Sequence, residues 1–284
     1  MNFHQSPNTY TGQIHLTVSD FERSLSFYTE TLGFKVLEHS ERGAVLTADS
    51  KTPLITIEQP DHVLPKQPRT TGLFHFAILL PTRGDLGTMI RHIGETGYPL
   101  QGASDHLFSE AFYLSDPDGH GIELYADRPE SEWVKENGEF PLVSDPLDID
   151  SIVRAGLEKE WNGLPNQTVM GHIHLHVADL EEAKAFYCDG LGFDITIPFR
   201  QQALFVSTGG YHHHIGLNTW NGKGSPAPDE NHIRMNWFSI ILPTEEARNL
   251  VITRLEKINV PIIEENGGIW TEDPSRNKIR LELT

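Results

Sequence analysis

Apolar residues alternate through Ile14, Leu16 and Val18, the period of a strand with one buried face. The period then changes. Asp20 stands where an N-cap belongs, Leu25, Phe27, Tyr28 and Leu32 follow at roughly helical spacing, and Gly33 supplies a stop. Beyond it, "KVLEHS", "GAVLTAD" and "LITIEQ" predict three more strands. One strand, one helix and three strands therefore occupy a unit near residues 12–59.

The same pattern recurs. "IHLTVSDFERSLSFYTETLGF" (14–34) aligns without gaps with "IHLHVADLEEAKAFYCDGLGF" (173–193), and 11 of 21 positions are identical at an offset of 159. "AVLTAD" (44–49) lies over "ALFVST" (203–208) at that offset, and "HFAILLPT" (75–82) lies over "WFSIILPT" (237–244) at 162. Such internal similarity means duplicated structural units. Four modules follow, near 12–59, 73–126, 171–218 and 236–283, with two in each half. The halves are expected at 1–127 and 171–284. The joining stretch 128–170 contains Pro129, Pro141, Pro146 and Pro165, with a short helix expected around 148–159.

Composition changes this picture only at its edges. A chain of 284 residues can bury one large or two medium cores. Its 22 Lys and Arg against 40 Asp and Glu leave a net charge of −18, which argues against nucleic acid or an anionic membrane surface as partner. A single cysteine, Cys188, excludes an internal disulfide and fits a reducing cytoplasm. No apolar run approaches the roughly 20 residues of a membrane span, and "MNFHQSPNTYTGQ" does not read as a signal peptide. A soluble, cytoplasmic protein is expected.

The chemistry concentrates in "DHLFSEAFYLSDPDGHGIELYAD" (105–127), where His106, Tyr113 and Glu123 stand among apolar neighbours. A carboxylate inside "GIELY" is a poor choice for a buried strand unless it is paired. With "VSDFERSLSFYTETLGF", "VADLEEAKAFYCDGLGF" and "DPDGHGIELY", the chain resembles the vicinal oxygen chelate superfamily over almost its whole length. That resemblance implies an α+β fold of four βαβββ modules, paired into two half-barrels, with a metal site in the mouth. It also implies where ligands sit: at the start of a module's first strand and on its last strand. Module by module, the first position reads Gln13, His75, His172 and Trp237, and the second Glu58, Glu123, Leu217 and Arg280.

Two ligand sets follow. Pairing modules two and three gives His75, His172 and Glu123, a two-His, one-carboxylate triad with open coordination positions. Pairing modules one and two gives Gln13, Glu58, His75 and Glu123, which resembles a glyoxalase site. "GGYHHHIGLN" (209–218) favours the first, because His213, four residues before Leu217, should share its face in a regular strand.

Spacing narrows the resemblance further. His106, Phe112-Tyr113, Asp116-Pro117, Gly119 and Glu123 closely follow the extradiol dioxygenase signature, departing at Ser104. By carry-over, Glu123 holds iron with His75 and His172, His106 and Tyr113 hydrogen-bond a bound catecholate, and His213 is the acid–base group. His212 and His214 stand next to it as alternatives. Fe(II), or else Mn(II), a small aromatic diol and O2 are the implied cofactor and substrates, and a homo-oligomer is expected. His15, His174 and His176 are expected on strand faces or in the core without function. The rival readings are a glyoxalase-like isomerase and a metal-free protein that binds an aromatic or antibiotic ligand.

Overall fold

The structure is a computed structural model, and it describes residues 2–199 and 202–284. Module one contains β1 (Tyr10–Thr17), β2 (Lys35–His39), β3 (Gly43–Thr47) and β4 (Ile55–Glu58), and module two β5 (Gly72–Leu79), β6 (Gly102–Asp105), β7 (Ser109–Ser115) and β8 (Gly121–Asp127). Module three contains β9 (Val169–His176), β10 (Asp194–Phe199), β11 (Ala203–Ser207) and β12 (Ile215–Asn218), and module four β13 (Met235–Leu242), β14 (Ile263–Glu265), β15 (Gly268–Glu272) and β16 (Lys278–Leu283).

Each first strand is followed by a helix, as the change of period predicts. In modules one and three that helix is short and continues into a π-helical turn, at Phe27–Thr31 and Ala185–Gly190. Asp20 caps the first helix by accepting from the Arg23 amide at 3.0 Å, and Asp179 caps its counterpart. Gly33 and Gly192 then take φ of +80° and +85°, a left-handed conformation that ends both segments and that a side chain would strain. Between the halves, a helix spans Ile149–Ala155, inside the stretch where one is expected.

Two eight-stranded sheets result, ordered β14-β15-β16-β13-β1-β4-β3-β2 and β10-β11-β12-β9-β5-β8-β7-β6. The first joins modules one and four and the second joins modules two and three. Each sheet thus draws on both halves of the chain, and the boundaries at 127 and 171 mark the duplication rather than the sheets. Tyr28 of module one donates to Asp116 of module two at 3.0 Å, and Tyr187 of module three donates to Asp273 of module four at 2.9 Å. These buried bonds stitch the sheets together. No helix among the described residues is long and apolar enough to cross a membrane.

The strand register corrects one expectation. A gapless alignment of the duplicates sets Glu58 and Leu217 level with Glu123. In the structure Ala77 pairs with Glu123 and its counterpart Ser239 with Arg280, but the same position in modules one and three falls to Thr56 and Gly216. Strand side chains alternate between faces, so the one-residue shift turns Leu217 to the other side, where it is fully buried in the core.

Candidate active site

Three adjacent strands, β9, β5 and β8, form the centre of the second sheet. His172 pairs across with Ala77, and Ala77 with Glu123, so the three residues form one row. His75 lies two residues before Ala77 on the same face. Ala77, fully buried, leaves the space above the row open to the larger side chains. His75 Nε2 and His172 Nε2 stand 3.3 Å apart, and Glu123 Oε2 lies 3.1 Å from the first and 3.2 Å from the second.

Those separations fit a cation. Ligands cis to one another on an octahedral ion, each about 2.1–2.2 Å from it, stand about 3.0–3.1 Å apart. The electrostatics agree. Burial holds His172 down at about 4, so its imidazole is neutral and Nε2 offers a lone pair. For Glu123, burial alone would raise the carboxyl, but His172 and His75 override it and hold it well below its usual range. The His172 lone pair, His75 Nε2 and the Glu123 carboxylate therefore converge on one buried point. His172 Nδ1 is buried without a hydrogen-bond partner, and the ring packs on Tyr125, centroids 5.2 Å apart.

Tyr113 lies directly across from Glu123 on β7. Burial first, and then the charge of Glu123, push its hydroxyl well above the usual value, so it is a donor. It reaches His106 Nε2 at 2.7 Å, while His106 Nδ1 meets the Val143 carbonyl at 2.7 Å. A carbonyl can only accept, so His106 donates to it from Nδ1, and a ring carrying that single proton accepts from Tyr113 through Nε2. A single antiparallel bridge between Asp105 and Asp145 ties down the segment that carries Val143.

His213 packs against His172, with ring centroids 4.1 Å apart. The alternation argument that pointed there fails, since β12 begins only at Ile215. Of the three consecutive histidines, His213 is 8% exposed and the other two are fully buried. An apolar cluster of Phe108, Phe140, Ile197, Ala203 and Phe205, separate from the main core, borders His213 and His106.

Gln13 and Glu58 lie on the other sheet, apart from His75 and Glu123. Gln13 donates to Thr56 at 2.6 Å, and Glu58 pairs with His15 at 3.0 Å. His174 and His176 share Asn218, which donates to the first and accepts from the second, at 3.0 and 2.7 Å. His174 also packs against His75, ring centroids 5.0 Å apart.

The chain matches the Glyoxalase/Bleomycin resistance protein/Dioxygenase superfamily over residues 11–124 and 169–281, which includes all four modules. It belongs to that superfamily. Among its superfamily relatives is a catechol-2,3-dioxygenase from Bacillus subtilis (strain 168), 44% identical over 270 residues, 94% of each chain. A biphenyl-2,3-diol 1,2-dioxygenase from Rhodococcus globerulus is 30% identical over 103 residues, covering 36% of this chain and 54% of the relative. Among solved structures, glyoxalase I from Zea mays superposes with a TM-score of 0.56 at 17% identity, covering 96% of this chain and 92% of its own. That likeness bears on the superfamily fold alone.

Sequence reasoning did not single out Tyr125 or Asp127, and it named His212 only as an alternative to His213. Glu123, Tyr125 and Asp127 occupy alternate positions of β8 and so share its site face. "ELYAD" carries that signal.

Proposed function

We propose that the protein is an extradiol dioxygenase that opens catechol, or a small substituted catechol, with O2, and that His75, Glu123 and His172 hold Fe(II) for this purpose. The carrying observation is the buried His–Glu–His face with Tyr113 and His106 bonded to each other on the neighbouring strand. The 44% identity to a catechol-2,3-dioxygenase supports the same reading. A divalent iron bound there would act as template for the diol and dioxygen and pass electrons between them.

The chain's own groups do the rest. Tyr113, across from Glu123, gives its one proton to His106, so its hydroxyl oxygen accepts from a diol hydroxyl, and His106, fixed by Val143, holds Tyr113 in that orientation. His213 stands beside His172, placed to take a hydroxyl proton and later return one to oxygen. Phe108 and Phe205 supply an apolar wall for the ring and exclude water from the reacting face. The carbon–carbon bond next to the diol breaks, both atoms of O2 enter the product, and no external reductant is consumed. Catechol would give 2-hydroxymuconic semialdehyde.

The test is anaerobic reconstitution with Fe(II), then catechol and air. Oxygen consumption with one yellow product per O2 supports the proposal. Failure with Fe(II) and Mn(II) across simple catechols, alongside metal-dependent isomerisation of a thiol hemithioacetal, would overturn it in favour of a glyoxalase-like activity.

A further inference from the structure

We infer that Asp127 and His212 are positioning residues that set the tautomer of His213, so that its bare Nε2 faces the substrate. This rests on the dioxygenase reading above, in which His213 moves the proton. Asp127 ends β8, four residues after Glu123 and on the same face. Its Oδ1 lies 2.8 Å from His212 Nε2, and His212 Nδ1 lies 2.9 Å from His213 Nδ1.

Donor and acceptor roles propagate along this chain. A carboxylate oxygen only accepts, so an imidazole at His212 that carries a single proton holds it on Nε2. Its Nδ1 is then an acceptor, and the contact with His213 requires the proton on His213 Nδ1. What remains is an unprotonated Nε2 on His213. The opposite tautomer would present an N–H to the hydroxyl that must lose its proton, and two donors would then face each other.

Nothing in this chain is loose. His212 is fully buried, with its ring 3.9 Å from that of Tyr211 and 4.3 Å from that of Phe108, centroid to centroid. The Tyr211 hydroxyl also reaches Asp127 Oδ1 at 3.4 Å, and Tyr125 and Tyr211 share a hydroxyl contact of 2.7 Å. Tyr125 in turn packs its ring on His172. One strand, β8, thereby contributes a candidate ligand, the packing behind a second, and the anchor that orients the base.

Long-range 1H–15N spectra of histidine-labelled, Zn(II)-loaded protein read the tautomer directly, with His213 assigned by its loss in His213→Gln. The wild type should show Nδ1 protonated and Nε2 bare. His212→Leu should mix the tautomers, and His212→Asn, whose carboxamide oxygen can stand in for the imidazole Nδ1, should restore the original one. With Fe(II), His212→Leu and Asp127→Leu should each lower kcat by roughly 10- to 100-fold, with KM for catechol and bound metal unchanged and His212→Asn recovering most of the loss. A wild-type His213 protonated on Nε2, or a kcat unmoved by His212→Leu, overturns the inference. So does loss of metal or fold in every variant, since that marks a merely structural role. A wild type inert toward catechols but with the assigned tautomer would sink the reaction and leave the hydrogen-bond chain standing.

Discussion

The two half-barrels share one frame and differ at a few positions. In the second sheet the row His172–Ala77–Glu123, with His75 beside it, gathers three metal-competent groups. In the first, β13 pairs Ser239 with Arg280, the Gln13 backbone N–H donates to Ser239 Oγ at 2.9 Å, and Trp237 stands in the place of His75. Arg280 lies over the Trp270 ring, 5.6 Å from its centroid, and pairs with Glu282 at 3.0 Å. A guanidinium and an indole do not bind a divalent cation, and the Gln13 carboxamide is engaged with Thr56, yet the strands beneath them pair as their counterparts do. Chemistry is thus decided by side chains on the open face, while the alternate residues (Phe76 and Phe238, Ile78 and Ile240) keep both sheets packed.

The comparison breaks hardest at the carboxylate. Glu123→Gln keeps the shape but loses the charge, and ring cleavage and iron content should both fall, activity by on the order of 10³-fold or more, since even residues behind a metal ligand cost 10- to 100-fold. Arg280→Gln, at the equivalent place, should leave activity within about twofold, because surface-side changes away from a site have small effects. Metal analysis and oxygen uptake on both variants settle it. Comparable losses in the two would mean that the first half-barrel also takes part.

A smaller effect separates packing from chemistry. A Cβ on Gly171 would meet the Tyr125 hydroxyl at 2.0 Å, and one on Gly12 would meet Ser239 Oγ at 2.5 Å and Ile241 at 2.6 Å. Each Gly→Ala change should destabilise by about 1–3 kcal/mol, read as a lower melting temperature. Only Gly171→Ala should also reduce activity, because Tyr125 packs on His172. Equal activity losses would contradict the division of labour.

The smallest effect is a difference in sign. Asp116 and Asp273 occupy equivalent turns, "DPDGH" and "DPSRN". Burial would raise Asp116, but the His120 ring and the hydrogen bonds it accepts hold it below the usual carboxylate range. Asp273 is raised, since burial dominates and its side-chain partner Asn277 is neutral. A depressed carboxyl stabilises the fold above its unfolded value and loses that contribution as pH falls. A raised one does the reverse: its contribution is present at low pH and lost as pH rises through the folded value. The deficit of Asp116→Asn should therefore shrink as pH drops from 7 toward 3, and that of Asp273→Asn should grow. Urea midpoints across that range measure both, and parallel curves would refute the assignment.

Much of this was legible because the chain repeats itself. Duplication exposed the strand–helix–strands unit, and comparing copies picked out His75, His172 and Glu123, which the fold brings within 3.3 Å. What stayed hidden depends on pairing between distant strands. No local signal says that β1 lies beside β13, or that β4 slips by two residues and β12 by one against a gapless alignment. His213 reaches the site through irregular backbone at 211–214, where alternation has no meaning. Asp127 was missed, and His212 was read only as an alternative to His213, because their contact spans 85 residues of chain.

The sheet order has a consequence for synthesis. The module pairs nest like brackets, two with three inside and one with four outside. As the chain leaves the ribosome from its N-terminal end, the inner sheet has all its strands by residue 218, while the outer waits for residue 283. The reactive half can close first, and module one, although made earliest, must wait for the last strand of all.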